Sequence, residues 1–136
     1  MKHKVFVDTD IIYDMLAERQ PHYQAAAKLF TLSDEGKILI FISALTVANI
    51  HYLISKQLSS DEAKQIIRKF KLLVNIVPIN EKIIDLALNS DFKDFEDAIQ
   101  YYCALENDIE LLLTRNLKDY KKAQISVMTA QDFINL

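Results

Sequence analysis

Glycine is almost missing from this sequence: Gly36 is the only one in 136 residues. That removes the glycine-built phosphate cradles, GxGxxG and the P-loop alike, which need a backbone free of side chains beside the phosphate. Any phosphate chemistry must then use side chains or metal ions. Cysteine is equally scarce. Cys103 stands alone in an apolar helical pattern, which excludes an intrachain disulfide and makes it a core residue. No apolar run approaches the roughly 18 residues of a membrane span. The basic MKHK start does not lead into a signal peptide, because Asp8, Asp10 and Asp14 break the apolar segment that follows. The expectation is a cytoplasmic protein without membrane contact. Positive charge is not in excess either: 16 Lys and Arg face 19 Asp and Glu, a net charge of −3. Tight binding to nucleic acid by charge alone is therefore not expected, whereas a nucleic acid held through metal ions remains open. What is present is the composition of an ordinary globule, 51% hydrophobic and 26% charged, of a length that suits one domain over 1–136.

Apolar strands alternate with helices along the chain. KVFVD reads as a short buried strand, followed by the helix TDIIYDMLAE. PHYQAAAKLFTLSDEG has Pro21 for a helix first turn and Gly36 for its end. ILIFI is a second strand, and SALTVANIHYLISKQL a helix capped by Ser43. SSDEAKQIIRKFKLL opens on a capping box, Ser59 to Glu62. VNIVPI, ELLLTR and ISVMT complete the strands, and helices capped by Asn80 and opened by DFEDAIQYYCALEND and TAQDFINL complete the order βααβααβααββα. This order implies a mostly parallel sheet of about five strands in a three-layer α/β/α sandwich, with ligands outside the C-terminal ends of the strands.

That edge collects acids. Asp8 and Asp10 end the first strand, Asn116 and Asp119 follow the fourth, and Asp94, Glu96 and Asp97 open a helix that starts there. The first turns of SALTVANI bring Asn49 to the same rim. Carboxylates this close repel by about 4 kcal/mol per pair at ~4 Å and an effective dielectric near 20. Oxygen ligands of this kind suit Mg²⁺ or Mn²⁺. Each acid taken singly also has a plain role: Asp8 or Thr9 as a cap, Asp94 with Asp97 as a capping pair, Asp119 in a solvated turn beside Tyr120, Lys121 and Lys122. Convergence from separate segments is what favours a metal site. The remaining candidates carry less. His3, His22 and His51 lack ligand spacing, Ser43 lacks a triad partner, and Tyr101, Tyr102 and Phe95 read as core or dimer interface. Lys64, Arg68, Lys69 and Lys71 form a basic face, solvated or able to guide a phosphate backbone.

VFVDTDIIYDML, ISALTVANI, FEDAIQYYCALE and LLLTRNLKDY, in this order, resemble the PIN-domain nucleases, particularly the small single-domain toxins of bacterial toxin–antitoxin pairs. The resemblance covers essentially the whole chain. It implies hydrolysis of RNA with Mg²⁺ or Mn²⁺ held by Asp8, Asp97 and Asp119, with Asn116 as a polar neighbour and Thr114 as the hydroxyl ending the fourth strand. It further implies a homodimer restrained by an antitoxin that covers the acidic crevice. One position departs from the family pattern: Asn49 stands where S-x-L-T-x-x-E ends in glutamate, and Glu96 is a candidate to restore the missing charge. Two other readings stay on the table. DTD after the first strand also resembles the DxD of aspartate-based phosphotransfer enzymes, with Lys118 for a lysine. A partner-binding module that lost turnover with its glutamate is the second.

Overall fold

A computed structural model describes residues 2–136. Five strands form one parallel sheet in the order β3-β2-β1-β4-β5: β1 His3–Val7, β2 Ile38–Ser43, β3 Asn75–Val77, β4 Leu111–Leu113 and β5 Ser126–Met128. Between them run α1 Thr9–Leu16, α2 Tyr23–Asp34, α3 Ala44–Ser55, α4 Ser60–Phe70, α5 Glu81–Leu88 and α6 Phe95–Glu106, with α7 Ala130–Ile134 last. The expected element order and the three-layer α/β/α sandwich are both present.

The strands read as unbroken apolar runs because both faces of the sheet are covered. Successive side chains point to opposite faces. Val5, Val7, Ile40, Ile42 and Leu113 pack under α1, α2, α3, α4 and α7. Phe6, Val77 and Leu112 pack under α5 and α6, together with Cys103 and Tyr101. Burial pushes the Cys103 thiol up to about 12, so it serves as packing and not as a nucleophile.

Most boundaries follow local chemistry. Ser43, Ser59, Asn80, Asp94 and Thr129 each accept from a backbone N–H in the first turn of the helix they open. Gly36 sits at φ 76° after α2, a conformation open to glycine. Several boundaries differ from the sequence reading: β4 keeps only Leu111–Leu113 of ELLLTR, α1 ends at Leu16, and two further differences have a local cause. Pro21 lies ahead of α2, in a turn closed by His22 N–H to the Arg19 carbonyl at 3.1 Å, and the helix begins at Tyr23. β3 stops at Val77 because Pro78 has no N–H for the ladder. The basic stretch of α4 leads into Leu73, whose carbonyl accepts from Ser33 Oγ just before β2 begins. It therefore lies toward the N-terminal edge of the sheet, away from the acids.

Candidate active site

β1 is central, with β2 on one side and β4 on the other, so the crevice at its C-terminal end is the switch point where such sheets bind ligands. Asp8 emerges there, pinned by its N–H to the Leu113 carbonyl at 2.9 Å. Its carboxylate is buried and fully engaged. Oδ1 accepts from Thr9 N at 2.7 Å and Gln100 Nε2 at 3.4 Å, and Oδ2 from the Thr114 hydroxyl at 2.9 Å and the Tyr120 hydroxyl at 3.1 Å. Burial raises the acid above its ordinary value, while these bonds, Thr114 foremost, hold it down.

Asp97 faces Asp8 across one atom. The Tyr120 hydroxyl lies 3.3 Å from Asp97 Oδ1 as well as 3.1 Å from Asp8 Oδ2. A phenol has one proton to donate, so the two carboxylates share one donor. Burial first, then the charges of Asp8, Asp94 and Asp119, push the Asp97 carboxyl up to about 7. Asp94 is the α6 cap, its Oδ1 accepting from Asp97 N at 3.0 Å. The capping reading and the site reading thus hold for different acids of the same turn.

Asp10 is a tether. Oδ1 accepts from Ile11 N at 2.7 Å and Oδ2 from Arg115 N at 3.0 Å, fastening the start of α1 to the segment after β4. Burial, then the Asp8 charge, raises Asp10 to about 6. Asn49, Glu96, Asn116 and Asp119 line a cleft of about 420 Å³ together with Asp8, Asp10 and Asp97. Asp119 and Glu96 are exposed on its rim. Thr114 lies beneath the cleft, wholly buried and holding Asp8. Lys118 does not line it. Among the described residues, no three Asp, Glu, His or Cys side chains stand close enough to hold one ion together. The three acids expected to converge do share one cleft, but only Asp8 and Asp97 are drawn together.

Several site residues escape sequence reasoning. Gln100 donates to the Thr46 hydroxyl at 2.8 Å and to Thr9 at 3.3 Å as well as to Asp8, while its Oε1 is buried with no partner among the described residues. The Thr9 and Thr46 hydroxyls are 2.9 Å apart. Asp14, buried, takes both Arg115 Nε at 2.7 Å and Nη2 at 3.2 Å. One signal for Gln100 was available, since it follows Asp97 by three positions and shares its helix face. Tyr120 was passed over among lysines, where a short 3₁₀ turn, Leu117–Tyr120, rotates it inward. The Asp14–Arg115 pair has no local sequence signal.

A parallel sheet with an acid pair at its central switch point, closed by a TRNLKDY turn, defines a class. The PIN domain family model matches residues 4–118, and the chain belongs to that family. Over 135 residues it is 26% identical to Ribonuclease VapC1 of Aquifex aeolicus (strain VF5), covering 96% of this chain and 92% of that protein. A toxin-antitoxin complex from Klebsiella pneumoniae contains a chain with a TM-score of 0.71 and 25% identity, covering 93% of this chain and 97% of that one. VapC20 of Mycobacterium tuberculosis, described as a sarcin-ricin loop cleaving toxin, has a TM-score of 0.63 at 14% identity, covering 79% and 86% of the two chains, a likeness of fold.

Proposed function

We propose that this protein is a metal-dependent endoribonuclease and the toxin of a toxin–antitoxin pair. The observation that carries the reading is the Asp8–Asp97 pair drawn onto one buried hydroxyl, with Asp97 raised to about 7 by burial and then by its acidic neighbours. Such a pair binds protons in the absence of something better, and an oxygen-only donor set favours Mg²⁺ or Mn²⁺. The orphaned Oε1 of Gln100 fits the same picture, as an acceptor beside Asp8 suited to a water on a hydrated cation. Mg²⁺ is commonly held by only one or two carboxylates and keeps several waters, so the absence of a tight triad agrees with it. The names of the VapC1 and VapC20 relatives point to RNA as substrate.

In this reading Asp8 and Asp97 hold the cation, with Asp119 on the open side. When bound, it activates water and neutralises charge on the attacked phosphodiester. Thr114 and Gln100 keep Asp8 oriented, and Asn49 and Asn116 offer neutral polar contacts to the phosphate. Glu96, on the rim, adds negative charge that partly replaces the missing glutamate. Aspartate-based phosphotransfer has less support: Lys118, the lysine it would need, stands outside the cleft. A second copy of the chain and an antitoxin are the expected partners, and the Klebsiella complex is the precedent for the latter.

The test is RNA cleavage by purified protein free of inhibitor. Cleavage is expected with Mg²⁺ or Mn²⁺, lost in EDTA, and lost in Asp97→Asn while its circular dichroism matches the parent. Unaltered cleavage by Asp97→Asn refutes the assignment.

Asn49 favours one other reading, a member that binds partners without turnover. Asn49→Glu separates the two. In an enzyme the added carboxylate lowers the Mn²⁺ concentration for half-maximal cleavage; in a silent scaffold it creates no cleavage.

A further inference from the structure

Beside the acidic cleft lies a second hollow of about 250 Å³, walled by Lys93, Lys118, Lys121 and Lys122 with Phe92. Asp94 and Asp119 line both spaces, so the two are neighbours across a shared wall. Two lysines of the chain form ion pairs, Lys82 with Glu106 at 2.7 Å and Lys37 with Glu35 at 3.3 Å, and both lie away from this hollow. Among the described residues these four lysines form no such pair, although three aspartates share their hollow. Four lysines against three aspartates leave the hollow one positive charge in excess, in a chain of net charge −3, and leave the ammonium groups free to turn to a ligand.

The hollow is also built into the site. Phe92 stacks on Tyr101 with centroids 5.1 Å apart and meets Tyr120 edge-on at 6.0 Å, and Tyr120 is the residue that bridges the acids. The same two loops supply lysines and acids: Lys93 precedes Asp97, and Lys118, Lys121 and Lys122 flank Asp119. Lysine ammoniums act as point charges for phosphates, and an aromatic wall suits an unpaired base. We propose that this hollow is the subsite for single-stranded RNA next to the cut, its lysines holding the flanking phosphates and Phe92 meeting the adjoining base. This rests on the ribonuclease reading and adds to it the side on which the strand runs. The basic stretch of α4 has no part in it.

Binding of a 3′-fluorescein 12-mer RNA is measured by anisotropy in EDTA, from about 50 to about 200 mM KCl. Lys118→Gln/Lys121→Gln/Lys122→Gln is expected to bind about tenfold more weakly at the lowest salt, with a salt slope shallower by about 2, near 0.7 for each lost phosphate contact on a single strand. The α4 control Lys64→Gln/Arg68→Gln/Lys69→Gln is expected to bind like the parent. An abasic ribose-phosphate strand of equal length should bind the parent about fivefold more weakly or worse. In Mn²⁺ the lysine triple variant should show a raised KM with kcat kept. Parent-like RNA binding by that variant overturns the proposal, as does an equal loss in the α4 control or equal binding of the abasic strand. So does loss of polyglutamate binding with RNA unaffected, which assigns the hollow to an acidic partner. If lysine-dependent binding is found but no RNA is cut, the subsite stands and the ribonuclease reading falls.

Discussion

At the scale of the residue, Asp97 combines two facts that are usually separate: it stands half-open to water and still holds its proton to about 7. Its ordinary value is 3.8, so the folded chain binds this proton more tightly than the unfolded one. For the metal-free protein, the stability linked to Asp97 is then complete below about pH 4 and is lost as pH rises toward 7. Asp10, at about 6, and Asp8 add slope of the same sign. Asp97→Asn removes its share of the penalty while keeping an oxygen for the Tyr120 hydroxyl. In EDTA at pH 8 the variant should be more stable than the parent by on the order of 1 kcal/mol, after allowance for solvent screening. At pH 4 the two should melt together. Thermal unfolding at both pH values checks this, and a variant less stable at pH 8 would mean that Asp97 serves the helix and not the cleft.

At the scale of the element, the segment after β4 is held to α1 by two clamps: Asp10 on the Arg115 backbone, and buried Asp14 on its guanidinium. Arg19 reaches Asp14 only at 3.7 Å. Arg115→Met should leave Asp14 nearly uncompensated and cost about 3 kcal/mol, read as a lower urea midpoint. A companion Asp14→Leu in the same chain should recover much of that loss. These clamps also mark where reading from sequence stops. The strands were legible because two covered faces make them continuously apolar, and the helix starts because Ser43, Ser59, Asn80 and Asp94 are local caps. Asp8, Asn49, Asp97 and Asp119 could be placed at one edge by topology alone. Asp14 with Arg115, and Asp8 with Tyr120, are contacts across about a hundred residues, and nothing local announces them. Their partners were fixed by how loops fold back over the sheet edge.

At the scale of the whole molecule, the acidic cleft is a cost of folding that a cation should offset. A divalent ion that binds only the folded state stabilises it by about 2.7 kcal/mol at a hundredfold excess over its dissociation constant. The melting temperature at pH 8 should therefore rise with Mn²⁺ in the parent and respond far less in Asp97→Asn. A parent unmoved by Mn²⁺ and Mg²⁺ would remove the cation from the reading.

The central place of β1 has a consequence for the moment of synthesis. Asp8 is made about a hundred residues ahead of the groups that hold it, for its backbone is pinned by Leu113 and its carboxylate held by Thr114 and Tyr120. Thr114 in turn donates its N–H to Met128, on the last strand. A nascent chain leaving the ribosome therefore carries this acid without a site around it until Thr114 and Tyr120 have followed. A chain cut short before them leaves Asp8 without the donors that orient it.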